Sequence, residues 1–183
     1  MISLGRVVIV TGPPGAGKST VARAMAEGAA DPGGVHVHGD DFLEYIRSGF
    51  VAPHLPASQQ QNMTLSRALA AAAFTYATGG YLTVLDWVVG PWFLDIYRAE
   101  ARRTGVSLDY VILRPSEETV IARSRGRPTK PILDYSHLNS LYGQLSQLDE
   151  DLDGHALDTR TMSPNETVAA VRAGLAAGRF RLV

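Results

Sequence analysis

At 183 residues the chain is long enough for one domain with a real core, burying roughly 70% of its unfolded surface. Its 45% hydrophobic and 19% charged residues exclude a disordered chain, and a formal net charge of −1 lacks the basic excess of a duplex nucleic-acid binder. The absence of cysteine excludes a disulfide framework, a thiolate zinc site and a cysteine nucleophile; there are 15 arginines and only two lysines, Lys18 and Lys130.

Short β-branched runs alternate with helical stretches. Val7–Val10 reads as a first strand, apolar on both faces, and Ala16–Glu27 as a helix. Val35–His38 is a second strand, followed by a helix from about Asp41 to Ser48 and a loop carrying Pro53 and Pro56. Ser58–Thr78 reads as a long helix and Tyr81–Leu85 as a third strand. Pro91–Arg103 is a helix with proline in its first turn, where the missing N–H costs little. Asp109–Leu113 is a fourth strand, Ser116 to about Arg123 a helix, and a polar, arginine-rich stretch runs on to Lys130. A helix over about Tyr135–Asp149 and a weak fifth strand, His155–Asp158, precede a last helix that opens on the capping box Ser163-Pro164-Asn165-Glu166. Such alternation predicts an α/β fold, with a parallel sheet covered by helices on both faces and ligands bound at the strands' carboxyl ends. No repeat and no linker divides residues 1–183, so a single domain is expected.

Ala68–Leu85 is uncharged over 18 positions, near the length of a membrane span. Thr75, Thr78 and the Gly79-Gly80 break make it the end of a buried helix, a turn and a strand instead. The four apolar residues at 7–10 are too few for a signal-peptide core, and the expected address is the cytoplasm, with no membrane partner.

The strongest chemical signal is Gly12-Pro13-Pro14-Gly15-Ala16-Gly17-Lys18-Ser19-Thr20, a G-x-x-x-x-G-K-[ST] loop between a strand and a helix. Glycines let backbone N–H groups turn toward a phosphate chain, and the helix N-terminus adds positive potential. Lys18 is placed to reach the β- and γ-phosphates and Ser19 to offer its hydroxyl to Mg²⁺. Asp86, ending the third strand, either holds Mg²⁺ with Ser19 or is a hydrogen-bonded strand-end carboxylate. Trp87 stands where many mechanical ATPases carry a water-activating Glu. No guanine-specifying N-K-x-D is present, which favours ATP over GTP.

Period 2 puts His36, His38 and Asp40 on one face at the carboxyl end of the second strand. Asp40 is the candidate general base toward an acceptor hydroxyl, with Asp41 capping the next helix; the alternative is that the pair only caps. His36 is either half of a metal pair with His38 or an ordinary satisfied strand histidine. The run Arg123–Lys130 is the densest positive segment, and Arg123 and Arg127 are the first choices for the transferring phosphate, against a solvated face. Gln59–Asn62 suits a hydroxyl-rich acceptor or is a plain polar helix start. Trp87 and Trp92 either wall the acceptor pocket or pack a helix start. Candidate acceptor-binding residues are thus His38, Asp40, Asp41, Gln60 and Trp87.

The Gly12–Thr20 loop, His38-Gly39-Asp40-Asp41-Phe42, Val84-Leu85-Asp86 and the Arg123–Arg127 segment together resemble small bacterial P-loop kinases. That group includes gluconate kinase, shikimate kinase and chloramphenicol phosphotransferase, and the nearest likeness is to gluconate-kinase-like proteins and ATPases. The resemblance implies a three-layer P-loop NTPase fold with sheet order 2-3-1-4-5, an arginine-bearing lid at about 123–135, and Asp40 beside the acceptor hydroxyl. The loop residues point to ATP and Mg²⁺ as cofactors, the expected acceptor is a small hydroxyl-bearing molecule, and the net charge of −1 speaks against long nucleic acids. The competing functions on the same residues are an ATP hydrolase or nucleotide-dependent switch, and a nucleotide or 5′-end kinase.

Overall fold

An apolar run without polar alternation has to be covered on both sides, and Val7–Val10 lies at the centre of a sheet. The computed structural model describes residues 3–116, 118–120 and 150–183. Strands β1 (Arg6–Thr11), β2 (Gly34–His38), β3 (Leu82–Asp86), β4 (Ser107–Arg114) and β5 (Ala156–Asp158) pair in parallel in the order β2-β3-β1-β4-β5. That is the order expected. The helices are α1 (Lys18–Glu27), α2 (Gly39–Glu44), α3 (Gln59–Thr78), α4 (Leu94–Thr104), α5 (Glu150–Asp153) and α6 (Pro164–Ala176).

Successive residues of β1 point to opposite faces and build two cores. Val7 and Ile9 pack with Leu69 and Phe74 of α3 and Tyr97 of α4. Val8 and Val10 pack with Met25 of α1 and Val171 of α6. Each such side chain contributes about 1.5–3 kcal/mol by leaving water. The result is three layers, α1 and α6 on one face and α3 and α4 on the other.

Several boundaries differ from expectation for local reasons. α1 starts at Lys18 rather than Ala16, because Gly15 and Gly17 hold φ of 87° and 94° and belong to the loop. α2 starts at Gly39, so β2 ends at His38 and the turn between them has no length. The helix expected from Pro91 opens as a 3₁₀ turn, Pro91–Phe93, and becomes α-helical at Leu94. β4 is longer than Asp109–Leu113. Its first half is bonded on the β5 side by the C-terminal tail: Leu108 N–H donates to Val183 (3.1 Å) and Tyr110 N–H to Phe180 (2.9 Å). The helix expected at 116–123 is helical at 118–120; the rest of it, the lid at 123–135 and the helix at 135–149 lie outside the described residues. The capping box of α6 is formed, Ser163 N–H donating to Glu166 at 2.8 Å and Glu166 N–H to Ser163 Oγ at 3.3 Å. No described helix is long and apolar enough to cross a membrane.

Candidate functional site at the carboxyl ends of the strands

The loop from Gly12 to Gly17 leaves the end of β1 and delivers Lys18 as the first residue of α1. Gly12 has φ 145°, and a Cβ there would sit 2.6 Å from the Leu113 carbonyl, so only glycine fits. Pro13 closes a turn, its carbonyl accepting from Ala16 N–H at 3.0 Å. Gly17 stands at the helix N-cap in the left-handed region with no side chain over the first-turn N–H groups, the arrangement that suits an anion. Lys18 Nζ folds back over the loop and donates to the Gly12 and Pro13 carbonyls at 3.1 and 3.2 Å. Ser19 is half-buried and Thr20 exposed in the same turn.

Asp86 lies under this turn and is only 3% exposed. The β2–β3 register pairs His38 with Asp86 and His36 with Val84, so both imidazoles and the carboxylate lie on the sheet face that α1 covers. His36 Nε2 is 2.9 Å from Asp86 Oδ1, and His38 Nε2 is 3.9 Å from Oδ2. Burial pushes the carboxyl up. Hydrogen bonds from His36 and Ser19, with the charges of His38 and His36, outweigh that and hold it below the usual carboxylate range. Asp86 is therefore ionised at neutral pH. A hydroxyl and an ionised carboxylate are hard oxygen donors, so Ser19 and Asp86 fit Mg²⁺. Among the described residues no group of three or more His, Asp or Glu is arranged to hold a metal alone, and His36 is taken up by Asp86.

The acceptor side needs two corrections. Asp40 does not extend the strand face of His36 and His38, because β2 ends at His38 and Asp40 sits in the first turn of α2. Asp41 is not the helix cap. His38 occupies the N-cap with extended backbone, and Asp41 reaches back from that turn to His38 Nδ1 at 2.9 Å. Asp40 is half-buried and Asp41 exposed. Trp87 lies against Gly39 so closely that a Cβ on the glycine would meet Trp87 Cε3 at 2.4 Å. Trp92 folds instead over Gly90 and is 53% exposed. Gln60 is exposed. Its neighbours are spent on the preceding loop: Gln61 accepts from Val51 N–H (2.9 Å) and donates to its carbonyl (2.7 Å), and Asn62 donates to Pro53 (2.8 Å). Arg123 and Arg127 lie outside the described residues.

Sequence reasoning missed two features. One is the His36–Asp86 contact. The other is a cleft of about 190 Å³ lined by Ala16, Gly17 and Thr20 from the loop and helix start, by Thr159 and Met162 from the segment between β5 and α6, and by Pro164 and Thr167 of α6. Thr159 is 3% exposed, and its Oγ1 has no hydrogen-bond partner among the described residues. The capping box marked where α6 starts, but only the packing of α6 beside α1 brings these residues to the phosphate loop.

A glycine-rich phosphate loop between β1 and α1, in a sheet of this order, defines a P-loop NTPase fold. A family model described as an AAA domain matches residues 7–141, and the chain belongs to that P-loop family. Small kinases share the fold. An unliganded sugar kinase from a Janibacter species is 22% identical, with 94% of this chain and 95% of that chain covered and a TM-score of 0.71. The APS kinase of Mycobacterium tuberculosis, in complex with AMPPNP and APS, is 20% identical over 94% and 98%, with a TM-score of 0.68. Shikimate kinase from Acinetobacter baumannii, in complex with shikimate, is 16% identical over 95% and 94%, with a TM-score of 0.64. No curated protein matches the chain.

Proposed function

We propose that the chain is an ATP-dependent phosphotransferase, a single domain over residues 1–183 that moves the γ-phosphate of ATP to a hydroxyl of a small molecule in the cytoplasm. One observation carries this reading. Lys18 and Ser19, the buried ionised Asp86, and the Asp40–Asp41 turn all gather at the carboxyl edge of three adjacent strands, β1, β3 and β2. Solved structures of the same fold that are named for sugar, APS and shikimate phosphorylation support it.

In this reading the N–H groups of the loop and first helical turn, Pro13 and Pro14 having none to give, cradle the phosphates, and Lys18 swings from its own loop carbonyls to the β- and γ-phosphates. Ser19 and Asp86 would hold Mg²⁺, which neutralises charge on the phosphate oxygens when bound. The cleft beside Thr159 takes the nucleoside, and the hydroxyl of Thr159, which has no partner among the described residues, offers it a hydrogen bond. Asp40 accepts the acceptor's proton as the hydroxyl oxygen bonds to the γ-phosphorus. The bond from that phosphorus to the bridging oxygen breaks, ADP leaves with the oxygen, and Asp40 later returns the proton to solvent. His38, Asp41, Gln60 and Trp87 bind the acceptor, while Arg123 and Arg127, on a lid at about 123–135, stabilise the transferring charge.

ATP consumption is measured with and without sugars, sugar acids, nucleosides, aminoglycosides and phenolic antibiotics. A single acceptor class should raise it, and Lys18→Ala should abolish the increase. Asp40→Asn should bind ATP within a few-fold of wild type while transfer slows by about 10²–10⁴. Rapid ATP hydrolysis that no acceptor accelerates would instead make the chain an ATP hydrolase.

A further inference from the structure

We propose that His36 is a positioning residue: from β2 it fixes the orientation of the Asp86 carboxylate, so that one oxygen is held by the protein and the other is kept for Mg²⁺ beside Ser19. The inference rests on the phosphotransferase reading above, which gives Asp86 its metal.

The geometry separates the two oxygens. His36 Nε2 lies 2.9 Å from Oδ1, while His38 Nε2 stands 3.9 Å from Oδ2, beyond hydrogen-bond reach. An ionised carboxylate only accepts, so His36 Nε2 carries the hydrogen and donates. The side chains are 16% and 2% exposed, so water competes poorly for the contact. A carboxylate at a strand end still rotates about its last bond, and a single well-placed donor on a neighbouring strand removes that freedom. Register supplies the donor: His38 sits opposite Asp86, and His36, two residues earlier, lies on the same face within reach. His38 Nδ1 is engaged by Asp41 at 2.9 Å, so of the two imidazoles it is His36 that is bonded to the carboxylate; the other group bonded to it, the Ser19 hydroxyl, is the co-ligand of Mg²⁺ in this reading. Hydrogen-bond partners behind a ligating carboxylate typically govern metal affinity by about 10–100-fold.

The test uses the full chain and four proteins: wild type, His36→Phe, His36→Gln and His36→Asn. Glutamine can place an N–H near the Nε2 position; asparagine is too short to do so, and phenylalanine keeps the ring without a donor. Calorimetry gives AMPPNP affinity in EDTA, then the Mg²⁺ concentration that half-restores tight binding; thermal unfolding is recorded alongside. The EDTA affinities should agree across all four. His36→Gln should match wild type within about threefold, and His36→Phe and His36→Asn should need about 10–100-fold more Mg²⁺. If His36→Phe does not fold, the Gln–Asn pair decides alone. Equal Mg²⁺ requirements in wild type, His36→Gln and His36→Asn would overturn the proposal while leaving the phosphotransferase reading intact. A wild-type protein whose AMPPNP affinity ignores Mg²⁺ would overturn both.

Discussion

Asp86 keeps its charge inside the fold because each element around it contributes something positive or donating. β2 brings His36, α1 brings Ser19, and His38 adds charge nearby, together more than offsetting burial. A carboxyl held below its ordinary value contributes stability that is complete above the unfolded pKa and is lost as pH falls through the lower folded value. The wild-type stability relative to Asp86→Asn should therefore decline as pH falls below the ordinary carboxylate range. Urea midpoints of both proteins across that range measure it. A difference that stays flat to the acid end would mean that the carboxylate is not favoured by its surroundings.

At the scale of elements, the junction of β2 and α2 carries the chemistry. With no spacer between them, the first turn of α2 lies at the carboxyl edge of the sheet, and Asp40 and Asp41 sit where a helix favours negative charge. Gly39 is required because Trp87, from the end of the neighbouring strand, packs onto its bare Cα. Gly39→Ala should improve local helix propensity yet destabilise the protein by about 1–3 kcal/mol, since the ring has to move. Trp87 and Trp92 are the only tryptophans, so a Trp92→Phe background isolates the emission of Trp87. Its spectrum should shift in the Gly39→Ala variant. Unchanged emission and unchanged stability would show that the contact is slack.

For the whole molecule, the chain's two ends meet at the sheet edge opposite the site. Asp109, wholly buried in β4, lies 3.4 Å from Arg6 at the start of β1 and 3.1 Å from Arg181 in the C-terminal tail. Replacing both arginines with alanine strands that carboxylate, and the double variant should lose about 3–5 kcal/mol in denaturant unfolding. Asp109→Asn should cost less. Equal losses would place the stabilisation in the tail's backbone pairing rather than in charge.

The local code was legible wherever a contact is close in sequence. Three glycines, two prolines and Lys18 specify the phosphate loop within nine residues, β-branched runs alternating with helices specify a parallel three-layer fold, and Ser163 with Glu166 specifies the start of α6. Those features depend on backbone conformation and periodicity, which neighbouring residues set by themselves. Tertiary structure alone decided what His36 does, since its partner is 50 positions away and is reached through the β2–β3 register. It likewise turned Gln61 from a candidate reader of acceptors into a clamp on Val51, and it joined Thr159 to Ala16 in one cleft. The physical reason is the same in each case. Which polar groups meet across a sheet or between helices depends on strand order and packing, and composition near either partner carries no record of the other.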